Sequence, residues 1–137
     1  MGVILDSSVV IAAERRGQTV RQILEHVRFA QGEIEIGLSV VTVAELVHGA
    51  CRARTEAGRQ RRLAFIEELC RDVPVHPVTL EIAWLAGRIE AQQGAKGIRI
   101  AFEDLLIGVT AVHLGCSVAT LNVRHFRSIP GLSVVQL

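Results

Sequence analysis

The chain has 137 residues, half of them hydrophobic and 21% charged, with a formal net charge of +1 at pH 7. That length builds one domain (residues 1–137) with a real core; the balance excludes a disordered chain and gives no bulk electrostatic reason to bind nucleic acid. The three cysteines, Cys51, Cys70 and Cys116, are odd in number and outside any C-x-x-C spacing, which argues against a disulfide framework or a thiolate zinc site and suits a reducing cytoplasm.

Val3–Leu5 reads as a short buried strand. Ser7 or Ser8 then offers an N-cap for a helix to about Arg15, closed by Gly17. Val20, Ile23, Leu24 and Val27 have helical spacing over 20–30, and Gly32 follows them. A second strand is expected over Ile34–Ser39. Thr42 is the expected cap of a helix reaching about Arg54, and a further helix should cover about Glu56–Arg71. Val73–His76, bracketed by Pro74 and Pro77, reads as a third strand, and Thr79 starts a helix to about Gln93. The segment GAKGIRIA (94–101) is a loop by its two glycines, Phe102–Leu114 a helix ended by Gly115, and Ser117–Leu121 and Leu132–Val135 are strands four and five.

Strands alternating with helices, without hairpin signals, predict an α/β fold with a short, mainly parallel central sheet covered on both faces. No segment reaches the roughly 18 apolar residues of a membrane span. The apolar run at the N-terminus lacks a basic flank and is broken by Asp6, so it does not read as a signal peptide.

Asp6 is out of place inside VILDSSVVIAA (3–13). The chain has only three aspartates, and of the others Asp72 follows a charged helix while Asp104 stands in FEDLLIGVTAVHL. Glu45, in SVVTVAELV, shares this apolar company. Each has an ordinary explanation: Asp6 as a helix cap, Thr42-Val43-Ala44-Glu45 as a capping box, Asp104 as a carboxylate favoured by a helix dipole. Together they could instead converge on the carboxyl-end rim of the sheet, where ligands of such folds bind. Three carboxylates about 4 Å apart repel by roughly 4 kcal/mol per pair at an effective dielectric near 20. A hard cation removes that penalty, and oxygen-only ligands suit Mg²⁺ or Mn²⁺. The chemistry inferred is metal-assisted hydrolysis of a phosphate ester.

Other signals are weaker. Glu45-x-x-His48 has di-iron spacing but occurs once, so His48 reads as an ordinary helix histidine. Five arginines fall in the stretch 52–62 (Arg52, Arg54, Arg59, Arg61 and Arg62) and read first as a solvated helix face, second as phosphate contacts. A phosphatase of haloacid-dehalogenase type would need D-x-D after the first strand, and residue 8 is Ser. A module that binds RNA or protein without cutting is the other alternative.

The pieces VILDSSVVIAA, SVVTVAELVHGA, IAFEDLLIGVTAVHLG and VATLNVRHFRSIPGLSVV, in that order and covering nearly the whole chain, resemble the PIN-domain ribonucleases, most closely the VapC-type toxins of bacterial toxin–antitoxin pairs. The resemblance implies a three-layer α/β/α fold and a divalent-metal site that cuts RNA. It makes Asp6, Glu45 and Asp104 the acidic triad, with Asp6 and Asp104 holding Mg²⁺ (or Mn²⁺) directly and Glu45 acting through water. Ser7 or Ser8 would orient Asp6. Many relatives carry a further acid in the segment that here reads TLNVRHF, where this chain has Asn122 and His125. A VapB-like antitoxin with a C-terminal segment that blocks the site, and a homodimer, are the implied protein partners. Arg99 and the 52–62 arginines are the candidate RNA contacts.

Overall fold

The computed structural model describes residues 2–137. Its strands are β1 (Gly2–Leu5), β2 (Glu35–Ser39), β3 (Val75–His76), β4 (Ser117–Thr120) and β5 (Val134–Gln136). They form one sheet in the order β3-β2-β1-β4-β5, and every neighbouring pair is parallel. The helices are α1 (Ser7–Arg15), α2 (Val20–Gln31), α3 (Val40–Cys51), α4 (Glu56–Asp72), α5 (Leu80–Ala95), α6 (Phe102–Leu114) and α7 (Val123–Phe126).

A central strand buried on both faces has no polar side to show, and β1 is apolar throughout for that reason. Its side chains alternate between two cores. Val3 and Leu5 join Leu38, Val10, Ile23, Val27, Leu46 and Leu69 under α1–α4, while Ile4 joins Val118, Ile82, Ile89, Leu105 and Val109 under α5 and α6. Sheet and two helical layers make the expected three-layer α/β/α arrangement. In α6, Gly108 lets the helix sit close to the segment after α7, since a Cβ there would collide with Ile129.

Three local expectations need correction. Neither Ser7 nor Ser8 caps α1, because the helix begins at Ser7 and Asp6 holds the cap position. Thr42 does not cap α3. Strand β2 runs into the helix without a loop, so its last residue, Ser39, holds the cap position and accepts the Val41 N–H at 3.1 Å. Thr42 lies inside the helix and is fully buried, so Thr42 and Glu45 form no capping box. The single turn α7 was not expected either, because four residues are too few to display a helical period.

The strand order decides where a site can form. From β1 the chain steps outward to β2 and β3 on one side, then crosses to β4 and β5 on the other. The crevice between the carboxyl ends of β1 and β4 is therefore the topological switch point, where helices leave in opposite directions and a cleft opens.

Candidate metal centre

Asp6 stands at that switch point, one residue beyond β1. Its own N–H donates to the Ala119 carbonyl at 2.9 Å, continuing the register in which Leu5 pairs with Ala119. The side chain is 5% exposed. Although Asp6 holds the N-cap position of α1, its carboxylate makes no cap hydrogen bond. Instead Oδ2 accepts two hydroxyls, from Ser8 at 2.7 Å and Thr120 at 2.9 Å. Thr120 Oγ1 in turn accepts the Asn122 N–H at 2.9 Å, and Ser8 Oγ accepts the Leu121 N–H at 3.1 Å. One carboxylate oxygen is thus pinned, and among the described residues no hydrogen bond goes to the other.

Glu45 comes from the second turn of α3 and Asp104 from the first turn of α6. Both face Asp6 closely enough for their charges to matter. Burial pushes the Glu45 carboxyl above its ordinary range, and repulsion from Asp6 and then Asp104 pushes it further, against the nearby Ser7 hydroxyl. The Asp104 carboxyl is also raised, first by burial and next by Asp6, while His125 draws it back. Desolvation is therefore the larger cause in both, ahead of the like-charge repulsion that the sequence suggests.

Glu45 Oε1 is buried with no hydrogen-bond partner among the described residues. A buried carboxylate oxygen left without a donor costs free energy that a cation or a cation-bound water would recover. The three acids do not, however, form a closed cage: among the described residues no group of three or more His, Cys, Asp or Glu is drawn together as a ready metal site. Mg²⁺ does not need one, because it keeps several waters and takes one or two protein carboxylates. The donor set is all oxygen and anionic, and it fits Mg²⁺ or Mn²⁺ rather than a thiolate- or imidazole-seeking metal.

The remaining sequence candidates separate. Ser8 touches Asp6, whereas Ser7 acts on Glu45. Asn122 is at the rim as the residue before α7, but its contribution here is its backbone N–H to Thr120, and its side chain makes no cap bond. His125 Nδ1 lies 3.3 Å from Asp104 Oδ2. Arg99 is exposed in the loop leading to α6. The arginine stretch is not a uniform contact surface: Arg62 donates to the Gly49 carbonyl at 2.9 Å and pairs with Glu14 at 3.5 Å, and Arg59 pairs with Glu56 at 3.5 Å. Arg62 thus ties α4 to α3 and α1, Arg59 pairs only within α4, and Arg52, Arg54 and Arg61 are exposed. His48 is exposed and lines a cleft with Glu45 and Glu103.

Two participants escape the sequence reading. Glu103 adds repulsion to both Glu45 and Asp104. Thr120 is the more consequential omission. Its signal lay in the register, since a residue ending the strand beside β1 must stand next to the residue ending β1.

The chain matches the PIN domain family over residues 3–132. It belongs to that family. Within it the kinship is with the VapC group: the chain is 34% identical to a Rickettsia felis protein named Ribonuclease VapC1, over 98% of this chain and 96% of the relative. It is 29% identical to the tRNA(fMet)-specific endonuclease VapC of Salmonella typhimurium, over 85% of this chain and 87% of that one. Among solved structures, VapBC-1 from nontypeable Haemophilus influenzae superposes with a TM-score of 0.82 at 25% identity, covering 99% of this chain and 98% of that one. VapBC2 from Rickettsia felis, bound to a DNA fragment from its promoter, gives 0.84 at 19% identity over 100% and 99% of the two chains, a likeness of fold alone.

Proposed function

We propose that this PIN domain is a divalent-metal-dependent endoribonuclease, the toxin of a toxin–antitoxin pair, working as a single domain in the cytoplasm. The observation that carries the reading is Asp6 at the switch point, with one oxygen fixed by Ser8 and Thr120 and with Glu45 and Asp104 facing it. The names of its relatives support the substrate: one acts as a ribonuclease and another as a tRNA(fMet)-specific endonuclease.

Asp6 and Asp104 would hold Mg²⁺ or Mn²⁺, and Glu45 would complete the site through water. When bound, the ion supplies a nucleophilic water of lowered pKa and stabilises charge on the scissile phosphate. Ser8 and Thr120 occupy Oδ2 of Asp6 and so direct its remaining lone pairs into the crevice. Glu45, with a raised pKa and an unpaired oxygen, is the residue suited to take a proton from the attacking water. Arg99, exposed in the loop that leads to α6, is suited to a backbone phosphate.

A VapB-like antitoxin is the proposed inhibitor, because solved relatives are VapBC assemblies. A second copy of the chain is proposed to cover the outer face of α5. There Leu80 and Trp84, one helical turn apart, are 71% and 63% exposed, an arrangement more usual at an interface than on a free surface.

The test is cleavage of total cellular RNA by the purified protein with Mg²⁺ or Mn²⁺, with 5′ ends mapped. Discrete cuts that disappear with EDTA and with Asp6→Ala are expected, the variant keeping its far-ultraviolet circular dichroism. Cuts that survive both controls would refute the assignment, and an absence of cuts would favour a module that binds without cleaving.

A further inference from the structure

Asp6 has two side-chain partners that hold it in place. The side-chain contact to Asp104 is a histidine: His125 Nδ1 at 3.3 Å from Oδ2, with Asp104 16% and His125 52% exposed. Among the described residues no Lys or Arg pairs with Asp6, Glu45 or Asp104. His125 sits on α7, and α7 is tied down at both ends. At its start, Thr120 Oγ1 and Ser8 Oγ accept the N–H groups of Asn122 and Leu121, and the His125 N–H returns to the Asn122 carbonyl at 3.0 Å. At its end, Phe126 is fully buried in the core beneath α5 and α6. The hydroxyls that fix Asp6 therefore also fix the turn that carries His125.

Resting on the metal-site reading above, we propose that His125 is a positioning residue: α7 works as a one-turn clamp that holds Asp104 in a set orientation relative to Asp6. The path runs from Asp6 Oδ2 through Thr120 and the Asn122 backbone to the His125 ring, whose Nδ1 lies 3.3 Å from Asp104 Oδ2. Occupying Oδ2 leaves Oδ1 of Asp104 for a cation, the same division of labour that Ser8 and Thr120 impose on Asp6. Partners of metal-binding side chains change metal affinity by 10- to 100-fold when lost.

The test reads metal binding directly, by titrating Mn²⁺ into the purified protein and following free Mn²⁺ by electron paramagnetic resonance. His125→Ala is expected to weaken Mn²⁺ binding about 10- to 100-fold with unchanged circular dichroism and melting temperature. His125→Asn, which places an amide N–H near the position of Nδ1, is expected to recover most of the loss. Wild-type affinity in His125→Ala would overturn the clamp, as would an equal loss in His125→Asn, which would assign the effect to ring packing. Asp104→Asn separates this from the parent reading: if it too binds Mn²⁺ as wild type does, or if wild type binds none, the metal site itself is refuted along with the clamp.

Discussion

At the scale of single residues, the site depends on which lone pairs are already taken. Thr120 donates to Asp6 and accepts from the Asn122 N–H, so a single fully buried hydroxyl serves two groups. Thr120→Val keeps the shape and removes both bonds. Urea denaturation is expected to show a loss of about 1–3 kcal/mol, and RNA cleavage a fall of about 10- to 100-fold; a variant as active as the parent would remove Thr120 from the site. The raised carboxyls give a second prediction. Glu45 and Asp104 have folded-state pKa values above their ordinary ones. Their favourable contribution to metal-free stability is therefore fully present below the ordinary carboxylate range and lost as pH rises through the raised values. Asp104→Asn, which cannot ionise, should gain melting temperature relative to the metal-free parent as pH rises above the ordinary aspartate range, about 3.9. A difference that stays flat or shrinks with pH would contradict the assignment, and added Mg²⁺ should close the gap from the parent's side.

At the scale of elements, the arginine-rich segment shows how far a sequence can be read. The cluster at 52–62 was visible, and so was its helix, but not which members point inward. Arg62 joins α4 to the Gly49 carbonyl of α3 and to Glu14 of α1, a role fixed by tertiary packing and invisible to spacing. Arg62→Ala should cost about 1 kcal/mol, since the group is partly exposed, with no change in the salt dependence of RNA binding. Arg99→Ala should leave stability within about 0.5 kcal/mol and lower the slope of log affinity against log salt by about one. The reverse pattern would exchange their roles. The same limit explains the Thr42 error. Thr-x-x-Glu is a sound capping signature, but the strand already ended in a serine able to cap, and the boundary between β2 and α3 was set by the sheet.

At the scale of the molecule, five strands in order, their parallel sense and the carboxyl-end rim were legible, because apolar runs punctuated by helices leave few other architectures; so was the apolar company that singles out the three acids, whose role at the rim is a proposal. What was not legible was pairwise: that β1 and β4 are neighbours, hence that Thr120 abuts Asp6, and that α7 brings His125 within 3.3 Å of Asp104. The first two arise from contacts between residues more than a hundred positions apart and the third from a four-residue turn, and none leaves a local pattern. Assembly is a further question at this scale. Trp84→Glu on the outer face of α5 should shift sedimentation toward the monomer without loss of fold; a variant that sediments like the parent would place any dimer contact elsewhere.

The crossing of the chain from β3 back to β4 has a consequence for when the protein becomes active. Asp6 is made first, but the neighbour that fixes it belongs to β4, at residues 117–120 of 137. A growing chain on the ribosome therefore carries Asp6, the first acid of the proposed metal site, through most of its synthesis without the strand neighbour that fixes it. On the proposed function, any cutting activity would wait for β4 to fold beside β1, when the ribosome has all but finished with the message.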